Sequence, residues 1–148
     1  MRLYVVLLLL LMLVAALDSG RFRWSVVPLW LQVMGWSLLA ICAAVIWHVS
    51  VTNTYLSRYA RIQKDRDHAV VCDGAYGVVR HPMYLGIILL FCGLPLVLAS
   101  WYSYVPSVVI MGLFVYRTRR EDQMLREGLA GYAEYAQDVR YRLVPGIW

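Results

Sequence analysis

Charge is scarce in this chain: 16% of its 148 residues are Asp, Glu, Lys or Arg, while 61% are hydrophobic. Soluble domains are roughly 45–50% apolar, so the composition excludes an ordinary soluble domain and points to an integral membrane protein. Cysteine is sparse too. Cys42, Cys72 and Cys92 have no metal-ligand spacing and form no even-numbered disulfide framework, so no metal centre is expected. Cys42 and Cys92 lie in apolar runs as small packing residues. A Gly-x-Gly-x-x-Gly turn following a strand is also missing, which excludes the cofactor fold of soluble dinucleotide enzymes. The net charge of +5 would suit nucleic acid, but the arginines are divided among segments that flank apolar runs. That is the pattern of cytoplasmic flanks of membrane helices, and no nucleic-acid partner is expected.

What is present is a series of apolar runs. Leu3 to Leu17 is 15 uninterrupted apolar residues behind Arg2. About 20 residues cross a hydrocarbon core, so this run is short for a span, and a cleaved signal peptide is its rival. Asp18-Ser19-Gly20-Arg21 reads as a polar turn, with Phe22 and Trp24 as interfacial aromatics. Val26 to about Val51 is the second helix, with Pro28 in its first turn and His48 hydrogen-bonding at the interface near its end. It is long enough to span with tilt. Thr52 to Arg80 is the longest polar stretch; His68-Ala69-Val70-Val71 within it reads as extended and Asp73-Gly74 as a turn. Met83 to Ala99 and Ser103 to about Tyr116 form a tight hairpin of apolar helices, with a kink expected at Pro95 and Pro106 in the first turn of the fourth. From Arg117 the fourth helix continues out of the bilayer, ending at Gly128. Gly131 to Val139 then reads as a short amphipathic helix.

The expected fold is all-α, an integral membrane helical bundle of about four transmembrane helices with a cytoplasmic C-terminal helical tail. Placing Arg2, the Thr52–Arg80 stretch and the tail inside puts 12 of the 14 basic residues in the cytoplasm, leaving Arg21 and Arg23 outside. Both termini are then cytoplasmic, on the same face as the chain's most unusual stretch.

That stretch is Gly74-Ala75-Tyr76-Gly77-Val78-Val79-Arg80-His81-Pro82-Met83-Tyr84-Leu85-Gly86. His81 precedes proline and is pushed out of the helical region. Pro82 suits the first position of the following helix, where its missing N–H would be unpaired anyway. A polar side chain is thereby presented at the mouth of a membrane helix. Arg117 and Glu121, spaced i,i+4 on one helix face, emerge at the same membrane surface. A carboxylate there suits a cationic cofactor and an arginine suits an anionic substrate group, both strengthened where water is partly excluded.

In these residues the sequence resembles the membrane-embedded isoprenylcysteine carboxyl methyltransferases and their phospholipid methyltransferase relatives. The resemblance runs from about Gln63 to Trp148. It rests on His68-Ala69-Val70-Val71, Gly74-Ala75-Tyr76, Arg80-His81-Pro82-Met83-Tyr84-Leu85-Gly86, Arg117 with Glu121-Asp122, and Gly131-Tyr132-Ala133-Glu134-Tyr135 leading to Val144-Pro145. It implies an enzyme that binds S-adenosyl-L-methionine and methylates a lipophilic or lipid-linked acceptor at the cytoplasmic membrane face. It implies a single domain, 1–148, with two membrane helices in 1–51 and a cofactor-binding catalytic core in 52–148.

Carried over by position, His68, Ala69, Val70 and Val71 line the cofactor through their backbone, with Gln63 a further cofactor residue. Tyr76, His81, Pro82, Met83 and Tyr84 enclose it. Glu121 faces its amino or sulfonium charge, and Arg117 anchors the acceptor. Asp122 stands where many relatives have a second glutamate, and its role is open.

Alignment of acceptor, methyl and sulfur supplies much of the acceleration in such a transfer. A carboxylate acceptor is already ionised; an amine or thiol needs a base, for which His81 and Glu121 are the candidates. Two other functions fit parts of the sequence. Membrane sterol-type reductases using a nicotinamide cofactor share an Arg-His-Pro-x-Tyr turn, but usually carry asparagine after the proline and lack the arginine–glutamate arrangement. A non-catalytic four-helix scaffold fits the composition and leaves the polar motifs on one face unexplained.

Overall fold

The computed structural model describes residues 2–52 and 70–148. Gln63, His68 and Ala69 lie outside the described residues. Among the described residues the regular structure is all helical, with no strand: α1 (Arg2–Ala15), α2 (Leu29–Thr52), α3 (Pro82–Val97), α4 (Tyr104–Gly128) and α5 (Tyr132–Asp138), plus a π-helical turn at Ala16–Phe22 and a 3-10 turn at Gly74–Gly77.

Two expected boundaries move. The polar turn at Asp18–Arg21 is instead the π-helical continuation of α1, so Arg2–Phe22 forms one stretch of 21 residues, long and apolar enough to cross a membrane. The turn can stay wound because Asp18 finds its donors inside the fold. Its carboxylate accepts from the Ser25 N–H at 2.9 Å and from the hydroxyls of Ser25 and Ser100, both at 2.5 Å. The helical path ends at Arg23, whose φ of 54° is left-handed. α2 starts at Leu29, three residues later than expected, because the Pro28 carbonyl accepts the N–H groups of Leu31 and Gln32 and so sits just ahead of the first turn. α2 is the second stretch long and apolar enough to span. α3 has 16 residues, and α4 is one unbroken helix of 25 that carries the charged segment, as expected.

The chain divides into two compact units. In the unit of Met1–Ala43 and Ile87–Phe114, Leu11, Phe91 and Ile110 form a core on which Tyr4, Leu7, Leu90 and Phe114 pack. α2 approaches α3 at glycines: a Cβ on Gly93 would stand 2.8 Å from the Gly35 carbonyl oxygen, and one on Gly35 would stand 2.8 Å from the Leu96 Cβ. Small residues permit such backbone contact between apolar helices. The outward faces of α1 and α2 remain apolar, with Leu9 63%, Trp30 67% and Trp36 62% exposed. Helices that are apolar all round belong in an apolar surrounding.

The unit of Ala44–Gly86 and Val115–Trp148 has a second core: Leu129, Tyr132, Tyr135, Ala136 and Val139, with Val70 and Leu125 against it. At the Asp73-Gly74 turn Gly74 has φ +59°, and any Cβ there would collide with the His48 ring. The left-handed φ favours glycine, and any side chain there would also require the His48 ring to move.

Candidate active site

The Arg80-His81-Pro82 segment is built as its sequence dictates. Non-helical backbone before the proline leaves the Arg80 and His81 N–H groups free to donate to the carbonyls of Tyr141 and Arg142, each at 2.9 Å. His81 then caps α3: its carbonyl accepts from the N–H groups of Tyr84 and Leu85. Pro82 is the first residue of that helix. Two turns of chain, one at α3 and one in the tail, are tied together by this short ladder.

Tyr84, Arg117 and Glu121 meet. Arg117 Nε donates to the Tyr84 hydroxyl at 2.9 Å, and that hydroxyl donates to Glu121 Oε2 at 2.5 Å. The direct Arg117–Glu121 ion pair is loose, at 3.9 Å, with side chains 26% and 21% exposed. The phenol thus relays between guanidinium and carboxylate, and each bond polarises the next. Glu121 Oε1 makes no hydrogen bond among the described residues. A half-buried carboxylate is held in one orientation, with one oxygen available to an incoming cation.

Asp122, the next residue, faces elsewhere and is 1% exposed. It accepts from Arg80 Nε at 2.7 Å, Arg142 Nε at 2.9 Å, Arg126 Nε at 3.1 Å and the Tyr132 hydroxyl at 3.1 Å. His81 Nε2 lies 3.5 Å from it. Burial pushes the Asp122 carboxyl up, but the hydrogen bonds from His81, Arg80 and Arg142 outweigh it and hold the group well below the usual carboxylate range. Arg80 completes its own shell on the carbonyls of Val139 at 2.6 Å and Arg140 at 2.8 Å. Burial and the Asp122 charge push the Tyr132 phenol up, and burial does the same to Tyr135.

The other expected residues distribute as follows. His81 is 6% exposed, 3.4 Å from the Tyr132 hydroxyl, with its ring stacked beside Tyr84 at 5.9 Å. Pro82 is fully buried and Met83 half-buried. Tyr76 is buried, and its carbonyl accepts from the Tyr135 hydroxyl at 2.6 Å. Val70 and Val71 are in irregular backbone. Val70 lines an open cavity of about 530 Å³ with Cys72, Ala130, Gly131, Tyr135, Asp138 and Val139; Tyr84, Arg117 and Glu121 are not in its wall.

Sequence reasoning left Asp122 open and passed over Arg126, Arg142 and the Tyr132 hydroxyl. Only the i,i+4 spacing of Asp122 and Arg126 announced any part of this knot. Its other members arrive from 42, 20 and 10 residues away.

The profile of the phospholipid methyltransferase family matches residues 25–130. Protein-S-isoprenylcysteine O-methyltransferase B of Arabidopsis thaliana is 31% identical over 81 residues, which are 53% of this chain and 41% of that protein. The delta(14)-sterol reductase of Mus musculus is 33% identical over 82 residues, 53% of this chain and 20% of that protein. The chain therefore covers less than half the length of either relative. The family match takes in the α3 motif and Glu121 and Asp122 of α4, and on it this chain belongs to the phospholipid methyltransferase family.

Proposed function

We propose that the chain is a multi-pass membrane enzyme that takes S-adenosylmethionine as methyl donor and methylates a lipophilic acceptor, isoprenylcysteine-carboxylate-like or phospholipid-like, at the cytoplasmic face. The observation that carries the reading is the Arg117–Tyr84–Glu121 relay, which orients a half-buried carboxylate beside a guanidinium. Such a pair fits a cationic donor and an anionic acceptor together, and the family match and the Arabidopsis relative are methyltransferases by name. S-adenosylmethionine, when bound, supplies an electrophilic methyl on a positively charged sulfur. Glu121 is the residue that faces its positive charge, and Tyr84 keeps the carboxylate from swinging away. Arg117 holds the acceptor's carboxylate or phosphate. Tyr76, His81, Pro82, Met83, Val70 and Val71 would enclose the remainder of the donor, a role the resemblance also gives to Gln63, His68 and Ala69.

A carboxylate acceptor needs no base. For an amine, Glu121 is better placed than His81, which is buried against Asp122 and Tyr132. Four crossings by Arg2–Phe22, α2, α3 and the apolar half of α4 bring both ends of the chain to the cytoplasm, by the arginine distribution.

The mouse relative is named for a sterol reduction, and a nicotinamide-dependent reductase is the second reading. Calorimetry on the purified chain in detergent separates them. S-adenosylhomocysteine should bind and NADPH should not. Radiolabelled methyl from S-adenosylmethionine should enter a lipid extract. Binding of NADPH alone would replace the first reading with the second, and binding of neither would leave a scaffold.

A further inference from the structure

α4 carries four arginines, and they divide into two kinds. Arg117 is held by Tyr84 and Glu121, and Arg126 by Asp122. Arg119 and Arg120 are exposed and make no hydrogen bond or ion pair among the described residues. The helix offers them no carboxylate: at three and four residues on either side stand Val115, Tyr116, Arg117, Gln123 and Met124, and Asp122, which three other arginines already occupy. Glu127, the next acid along that face, is bonded to Gln123 at 2.8 Å.

One turn before the two arginines the same face exposes Val115 (41%) and Tyr116 (63%). An exposed valine and tyrosine at the end of the apolar half of α4 belong at the edge of the hydrocarbon, where tyrosine sits at headgroup level. Three to four residues further along a helix is about 5–6 Å, the depth of lipid phosphates. Arginine offers a planar fork of donors that matches phosphate.

We propose that Arg119 and Arg120 form a binding site for the headgroup phosphate of anionic phospholipid. The pair clamps α4 at the depth where the neighbouring face of the same helix presents Arg117 and Glu121. The proposal rests on the membrane placement given above, not on methyl transfer.

The test uses the full chain reconstituted in phosphatidylcholine vesicles containing either spin-labelled phosphatidylglycerol or spin-labelled phosphatidylcholine. The fraction of label immobilised by the protein gives the relative affinity. The wild-type chain should favour phosphatidylglycerol several-fold, since each basic residue near a membrane surface is worth roughly fivefold in attraction at low salt. The R119Q/R120Q variant should lose the preference, and R119E/R120E should reverse it. Both variants should keep the wild-type unfolding midpoint, because neither side chain has a partner among the described residues. Equal immobilisation of the two labels by the wild-type chain, or an unchanged preference in R119Q/R120Q, would overturn the proposal. Immobilisation of neither label would remove α4 from the bilayer and take the membrane placement with it.

Discussion

In one unit of the chain the buried carboxylate of Asp18 is surrounded by neutral donors, two serine hydroxyls and an amide. In the other, Asp122 is surrounded by three guanidinium groups and a phenol. Both side chains are hidden from solvent. Neutral donors share the work, so any one can be lost at modest cost. A charged shell is collective: the fully buried Arg80 is tolerable in the interior only because the carboxylate is there. Asp122→Asn breaks this arrangement most severely. The Arg80 side chain, 2% exposed, would keep its charge with no counter-ion. Loss of one partner from a buried ion cluster costs about 3–5 kcal/mol. A large fall in the thermal unfolding midpoint in detergent is expected. An unchanged midpoint would mean the cluster is not closed in solution.

Ser100→Ala is the matching change on the Asp18 side. It removes one donor to the carboxylate and the acceptor of the Ser103 N–H, while Ser25 keeps two bonds to Asp18. A net hydrogen bond is worth about 1 kcal/mol, somewhat more where a buried group is stranded. The midpoint should fall by much less than in Asp122→Asn. If the two variants lost equal stability, the distinction between neutral and charged shells would not hold.

The asymmetry between the clusters explains what could be read before the fold was known. Pro82 opening α3, the tail helix and the continuity of α4 followed from local rules, because proline, glycine and i,i+4 spacing act over a few residues. Tyr84 joined Arg117 and Glu121 through the family resemblance, since no local rule links residues 33 and 37 apart. Neither route reached the Asp122 knot. No local rule marks Arg142 or the Tyr132 hydroxyl as a partner of Asp122, and only the return of the tail onto the start of α3 brings them to it. The π-helical turn was missed for the same reason: Ser100, 82 residues on, satisfies Asp18.

Alkaline pH probes the charged shell from the phenol side. Tyr132 and Tyr135 have folded pKa values raised above about 10, the ordinary value. For an acid raised in the folded state, the stabilisation is fully present below the unfolded pKa and is lost as pH rises towards the folded one. Stability should therefore hold through neutrality and decline above about pH 10. Tyr135→Phe removes one hydrogen bond, to the Tyr76 carbonyl, at about 0.5–1.5 kcal/mol, and should flatten that alkaline decline. A decline of the same slope in the variant would assign the pH dependence to other groups. Asp122, held low, should add no acid sensitivity between pH 5 and 8, since its contribution is lost only as pH falls through its depressed folded value.

The smallest change in stability should come from the neighbouring carboxylate. Glu121 pairs with Arg117 only at 3.9 Å, with the two side chains 26% and 21% exposed, and a pair this loose is worth about 0.5 kcal/mol. Glu121→Gln keeps the shape and still offers an oxygen to the Tyr84 hydroxyl. The midpoint should move by no more than about 2 °C. Binding should move far more, because the carboxylate is oriented for a ligand rather than for the fold. S-adenosylmethionine carries a charged sulfur and S-adenosylhomocysteine a neutral one, while both keep the amino group. If Glu121 faces the sulfur, the variant should weaken the first by about tenfold, or 1.4 kcal/mol, and the second much less. If it faces the amino group, both should weaken alike. A variant that bound both ligands as the wild type does would show that Glu121, like Asp122, belongs to the fold.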